Sequence, residues 1–179
     1  MDEWINEPAK WSTGAEGELF VTADPDTDFW RTTHYGFVRD TGHVRGRWVD
    51  GDCEVRTTFS ADYAELYDQA GIALRIDEEN WIKAGVELVD GEFQISAVVT
   101  RGVSDWSVVP VASADRVTIS AERTGDAVTV RYGLGDAEPV TMLRLAYFPP
   151  GVRALVGVMC AAPTGRGFEA RFERTLISS

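Results

Sequence analysis

The segment Trp81-Ile82-Lys83-Ala84-Gly85-Val86-Glu87 carries an amine and a carboxylate at i and i+4 among apolar neighbours. In an extended chain successive side chains alternate between faces, so Trp81, Lys83 and Glu87 share one face. Lysine is a rare choice here, since the chain has fifteen Arg and only two Lys, Lys10 and Lys83. An ammonium can contact an anionic or hydroxyl group, a carboxylate can accept from hydroxyls, and an indole can stack on the apolar face of a sugar. At ~3.4 Å per residue the two charged positions lie about 13 Å apart along the strand. They can bracket a ligand without forming an ion pair.

The neighbouring strands extend this face. Asp90-Gly91 suits a two-residue type I′ turn, whose two central residues both need positive φ. That turn sets Leu88 opposite Phe93, Glu87 opposite Gln94, Gly85 opposite Ser96 and Lys83 opposite Val98. All apolar positions then fall on one side, and a one-residue slip would bury Glu87 and Lys83. Gly102-Val103 reads as a second two-residue turn, which pairs Thr100 with Asp105 and sends Trp106 to the apolar side. A preceding strand over 69–76 puts Gln69 or Gly71 opposite Glu87, depending on loop length. The polar face therefore collects Gln69, Arg75, Trp81, Lys83, Glu87, Gln94, Ser96, Thr100, Asp105 and Ser107. Gly71, Ala73 and Gly85 lie at its middle, as a floor that a ligand could approach.

A second concentration of reactive side chains runs from Asp28 to Phe37, with Asp28, Arg31, His34 and Tyr35 close together. His34 is a candidate acid or base near neutral pH. His43 follows, and an Asp50-Gly51 turn would place it on a polar face with Arg45, Arg47, Glu54 and Arg56. Two histidines nine residues apart with no third ligand in register do not make a metal site, and no cofactor is expected. GxSxG, HExxH, Walker and GxGxxG patterns are absent. On the expected register Glu87 and Asp105 stand roughly 20 Å apart, too far for a glycosidase pair, which needs roughly 5 to 10 Å. A second carboxylate for Glu87 would have to come from Asp28 or Asp68.

These groups need a sheet to hold them, and the chain reads as strands throughout. Segments of five to ten residues alternate apolar and polar between Gly, Asp, Asn and Pro, and no window sustains helical periodicity for three turns. Strands are expected over 18–22, 43–49, 52–60, 69–76, 81–89, 92–101, 104–109, 116–123, 127–132, 140–148, 154–161 and 168–177. Residues 61–67 could hold one helical turn, and the first forty residues read mostly as irregular cover. With 179 residues, 44% of them hydrophobic, residues 1–179 suffice for a single all-β domain of two packed antiparallel sheets.

The net charge of −12 repels phosphate backbones and anionic lipid, so neither nucleic acid nor membrane is an expected partner. No run approaches the roughly 18 apolar residues of a membrane span, and the acidic start is unlike a signal peptide. A cytoplasmic location is the expectation. Cys53 and Cys160 have no metal or disulfide spacing and read as buried thiols.

Several segments together resemble a known family: Trp4-Ile5-Asn6-Glu7-Pro8, Thr27-Asp28-Phe29-Trp30-Arg31 through Phe37, Tyr67-Asp68-Gln69-Ala70-Gly71, the strand from Trp81 to Glu87, and Ser104-Asp105-Trp106-Ser107. The chain resembles the regulation-of-enolase protein family of the concanavalin A-like lectin/glucanase superfamily over nearly its whole length. The resemblance implies a jelly-roll sandwich whose concave sheet is where superfamily relatives bind or cleave glycans. It supplies no reaction, and the E-x-D-x-(x)-E strand of the glucanase relatives is missing.

The leading expectation is binding of a small-molecule or glycan ligand, a carbohydrate or sugar-like metabolite, on the concave face. The ligand contacts would come from Gln69, Trp81, Lys83, Glu87, Gln94, Ser96, Asp105, His34 and Arg31. An enzyme using Glu87, His34 or Asp28 is the second reading, and a regulatory protein-interaction domain the third. The sequence leaves the oligomeric state open.

Overall fold

The computed structural model describes residues 2–179, and among them there are sixteen strands and no helix. The chain begins with β1 (Glu3–Ile5), β2 (Lys10–Thr13), β3 (Leu19–Thr22), β4 (Phe29–Arg31) and β5 (Val38–Asp40). Longer strands follow: β6 (His43–Val49), β7 (Cys53–Ala61), β8 (Gln69–Arg75), β9 (Asn80–Val89), β10 (Glu92–Arg101) and β11 (Val103–Pro110). The last are β12 (Val117–Thr124), β13 (Ala127–Leu134), β14 (Thr141–Tyr147), β15 (Ala154–Ala161) and β16 (Glu169–Ser178). No helix of the described residues is long and apolar enough to cross a membrane.

Two antiparallel seven-stranded sheets pack face to face as a jelly-roll sandwich. One runs β1-β6-β15-β8-β9-β10-β11 and the other β14-β13-β12-β7-β16-β3-β2. Period-two alternation turns Ile72, Leu74, Ile82, Val86 and Ile95 of the first sheet toward Val55, Phe59, Ile119, Val130 and Phe172 of the second. Each such side chain taken fully from water contributes roughly 1.5–3 kcal/mol.

The first sheet also carries a smaller apolar cluster on its other face. Phe29 and Trp30 of β4 pack there with Ala73, Trp81, Val98, Leu155 and Met159. That second layer exists because β4 and β5 pair only with each other and lie across the sheet as a separate ribbon. It explains why β15 is buried along its entire length, like a strand covered on both faces.

The β9–β10 hairpin has the expected register, with Leu88 opposite Phe93, Glu87 opposite Gln94 and Lys83 opposite Val98. Asp90 and Gly91 take φ of 51° and 80°, as a type I′ turn requires. In β8, Gln69 stands opposite Glu87.

Four sequence expectations are corrected. The reversal after β10 centres on Gly102 alone (φ 71°), so Arg101 pairs with Val103, Thr100 with Ser104 and Val98 with Trp106. This one-residue shift turns Trp106 and Ser104 to the Lys83 side and takes Asp105 and Ser107 off it. The Gly102 N–H donates to the Glu79 carbonyl at 2.8 Å, which anchors the tight reversal.

The Asp50-Gly51 turn joins no hairpin, because β6 and β7 belong to different sheets. His43 is therefore not on a surface with Glu54 and Arg56; it is buried, with Nδ1 at 2.5 Å from the Asn6 carbonyl and Nε2 accepting the Asp24 N–H at 3.0 Å. Ala61 ends β7 and residues 62–67 form irregular chain with a bend and a tight turn instead of a helical turn, held where the Asp68 carboxylate accepts the Ala64 and Glu65 N–H groups at 3.0 and 2.9 Å. Finally, the first forty residues contain five short strands, of which β1 and β2 close one edge of each sheet.

Candidate functional site

Lys83 and Glu87 rise from one face of β9, with Gly85 between them, into a cavity of about 410 Å³ roofed by the β4–β5 ribbon. The floor is Lys83, Glu87, Val98 and Trp106. Trp30, Tyr35, Phe37 and Arg39 descend from the ribbon, while Tyr67, Asp26, Asp28, Pro163 and Thr164 close the remaining sides. The ribbon is fixed to the sheet at both ends. Arg31 donates from Nη2 to Glu79 Oε1 at 2.6 Å and from its backbone N–H to Ser104 Oγ at 2.9 Å. Arg75 reaches Asp40 Oδ2 at 2.6 Å, and the Phe29 ring rests on Trp81 with centroids 5.8 Å apart.

The floor is a connected polar network in a largely desolvated setting. Lys83, Glu87, Gln69 and Ser96 are 6%, 6%, 4% and 5% exposed, so each needs its partners inside the protein or in the cavity. The Lys83 ammonium donates to Gln69 Oε1. The Gln69 amide nitrogen donates in turn to the Tyr67 carbonyl at 3.1 Å and to Asp28 Oδ1 at 3.4 Å. Glu87 Oε2 accepts the Ser96 hydroxyl at 2.8 Å and the Trp106 indole N–H at 3.1 Å. Among the described residues Oε1 of Glu87 accepts from none, and Lys83 and Glu87 form no ion pair.

Burial pushes the Glu87 carboxyl above its ordinary value, against the opposing charge of Lys83 and the Ser96 bond, with Asp28 adding a smaller upward push. Its bond to Tyr35, with some help from burial, pushes the Tyr67 phenol up to about 12. The cavity thus offers an ammonium, a buried carboxyl, and phenol, indole and hydroxyl groups. Aromatic faces line it: Trp30 meets Tyr35 edge-on at 5.5 Å and Trp106 at 6.5 Å, and Tyr67 meets Trp106 at 6.3 Å.

The residues expected at the site divide into three groups. Lys83, Glu87 and Asp28 line the cavity, with Gln69 and Ser96 bonded to them from behind. Trp81, Arg31 and Gln94 do not line it. Trp81 is 3% exposed beneath Phe29, so it supports the ribbon and has no free face for a sugar. Arg31 is occupied as a ribbon tether, and Gln94 lies between Glu87 and Pro110 on the neighbouring strands. His34 and Asp105 line a separate, more open hollow with Thr33, Val103 and Ser104, which shares Trp30, Tyr35 and Trp106 with the first cavity.

Gly71 and Gly85 have a reason other than ligand approach. A Cβ on either would fall 2.1 Å or 2.0 Å from a carbonyl oxygen of the adjacent strand. Their smallness lets β8 and β9 approach each other.

Sequence reasoning missed Trp106, Tyr67, Trp30, Phe37, Arg39, Asp26 and Thr164 as cavity residues. Trp106 was lost with the misread reversal. The density of aromatic residues between Phe29 and Phe37 was the available signal for the walls.

Comparison with known proteins agrees with this architecture. Regulation of enolase protein 1 of Saccharomyces cerevisiae is 36% identical over 179 residues, covering 98% of this chain and 88% of that protein. The crystal structure of a functionally unknown Saccharomyces cerevisiae protein superposes with a TM-score of 0.94 at 32% identity, covering 99% of this chain and 96% of that one. The carbohydrate binding module CBM66 from Bacillus subtilis shares the fold, with a TM-score of 0.61 at 13% identity over 98% of this chain and 95% of the module. The family described as protein of unknown function (DUF1349) matches residues 4–179, and the chain belongs to it.

Proposed function

We propose that this protein binds a small polar ligand, a carbohydrate or sugar-like metabolite, in the cavity between β9 and the β4–β5 ribbon. The observation that carries the reading is the buried floor of Lys83 and Glu87 facing aromatic walls. Ligand sites combine an apolar lining with a few fixed polar groups, and 410 Å³ lies within the range of small-molecule pockets. Two donors of Lys83 and Oε1 of Glu87 serve hydroxyls, while Trp106 and Tyr67 cover apolar ring faces. The fold shared with a carbohydrate binding module supports the ligand class. The same reading takes the chain as one domain, places it in the cytoplasm, and gives it no nucleic-acid or membrane partner, in keeping with a net charge of −12.

Isothermal titration against neutral sugars, sugar acids and sugar phosphates tests it. The wild type should bind at least one class, and Lys83→Ala and Glu87→Gln should each weaken that binding at least tenfold. Equal affinity in all three proteins overturns the assignment.

One observation favours a catalytic variant of this reading. Glu87 has a raised pKa and Asp28 lies on the same cavity, an arrangement in which Glu87 could act as general acid. Release of nitrophenol from aryl glycosides, abolished by Glu87→Gln, would establish it; no release above buffer would leave binding alone.

A further inference from the structure

We infer that the protein recognises the end of a saccharide chain, with the terminal unit in the roofed cavity and the next unit in the more open hollow beside it. This rests on the binding function proposed above and extends it to a second subsite. Both spaces lie on one face of the sheet, and Trp30, Tyr35 and Trp106 line both. A ligand that fills the first can leave it along a wall already built of aromatic faces.

The two spaces differ as an inner and an outer subsite should. The first is roofed by the ribbon and has a charged, buried floor. The second has a volume of about 580 Å³ and no charged group as deeply buried as Lys83. Its polar lining comes from Thr33, His34 and Ser104, groups suited to hydroxyls that stay partly hydrated, while Asp105 stands at its rim with its carboxylate paired to Arg144 at 3.1 Å. Tyr35 forms the ridge between them: it is 45% exposed and braced by Trp30, by His34 at 4.8 Å and by Phe37 at 5.6 Å. A half-exposed ring held on three sides is a stacking platform whose ordering cost has already been met.

The backbone around the ridge is consistent with a ligand-shaped loop. Thr32, His34 and Gly36 take φ of 64°, 64° and 74°, and the first two are not glycine. Such left-handed residues cost energy and gather where a binding surface needs a particular loop shape. Here they bring the His34 and Tyr35 rings into edge contact.

The test is titration calorimetry with glucose, xylose and galacturonic acid, each alongside its linear di- and trisaccharide. In the series that binds, the disaccharide should bind the wild type at least fivefold more tightly than the monosaccharide, and the trisaccharide should add little. His34→Ala should remove most of the disaccharide gain while leaving monosaccharide affinity within twofold. His34 is exposed, and a thermal melt of the variant should match the wild type. A disaccharide that binds no better than its monosaccharide, or a gain that survives the substitution, overturns the second subsite and leaves the binding function standing. Absence of binding by all nine sugars overturns the recognition of a saccharide end, and failure of the sugar phosphates as well overturns the binding function.

Discussion

The indole N–H of Trp106 lies 3.1 Å from Glu87 Oε2, so a residue two strands away holds one oxygen of the central carboxylate. The same N–H is 3.1 Å from Ser96 Oγ. Glu87 is thereby fixed on one side and free on the other. Trp106→Phe keeps the ring and removes the donor. It should cost about 1.5–3 kcal/mol of stability, as for other bonds to a charged group. It should also raise the Glu87 pKa further, because that bond favours the ionised form. Denaturant unfolding and carboxyl-selective NMR titration measure the two effects.

Glu87 also gives a pH signature. Its pKa in the folded protein is raised, so the folded state holds the proton more tightly than the unfolded chain. Its contribution to stability is therefore fully present below the ordinary glutamate range and declines as pH rises through the raised value. Glu87→Gln should remove that decline. Comparing urea midpoints of the two proteins from pH 4 to 8 should show the variant gaining relative to the wild type as pH rises. A constant difference would mean that Glu87 does not titrate in a buried setting.

The Tyr35 and Tyr67 phenols both line the cavity. Their bond is the main reason the Tyr67 phenol is pushed up to about 12. Tyr35→Phe should bring the Tyr67 transition down toward 10, the value of an unperturbed phenol, read from phenolate absorbance during alkaline titration.

Trp81→Ala separates a support role from a contact role. Removing a ring buried under Phe29 should cost about 3–5 kcal/mol, as large-to-small changes in packed clusters do. It should also loosen the ribbon, visible as faster amide exchange at Phe29 and Trp30. Loss of sugar affinity with unchanged stability would return Trp81 to the ligand.

Gly85→Ala is a backbone test. The added methyl would lie 2.0 Å from the Ala70 carbonyl oxygen, and neither strand can yield without breaking its ladder. We expect a lower melting temperature by thermal scan, in contrast with Gly91→Asn, where nothing lies within 4 Å and Asn tolerates positive φ.

The parts of this structure legible in the sequence were those decided by local rules. Asp90-Gly91 determines its own turn and, through it, the faces of ten residues on each side. The Gly102 reversal followed a different rule, because Arg31 and Glu79, both remote in sequence, grip that glycine's carbonyl and amide. One residue of difference there moved Trp106 into the site and Asp105 out. Trp81 looked like an exposed aromatic since its position is on the polar face, and only the ribbon packed over it makes that face apolar. The β6–β7 turn had the right local form, yet Val49 and Cys53 go to different layers, a choice made by their distant partners β15 and β12.

That layer change has a kinetic meaning. Here β6 and β7, neighbours in sequence, wait for partners far along the chain, as Val44 waits for Met159 and Val55 for Ala121. The cavity shares this dependence, since its lining is drawn from residues 26–39, 67–106 and 163–164. Loop closure over such spans is slow, so ligand-binding competence should emerge only in the last phase of refolding, after the local β9–β10 hairpin has formed.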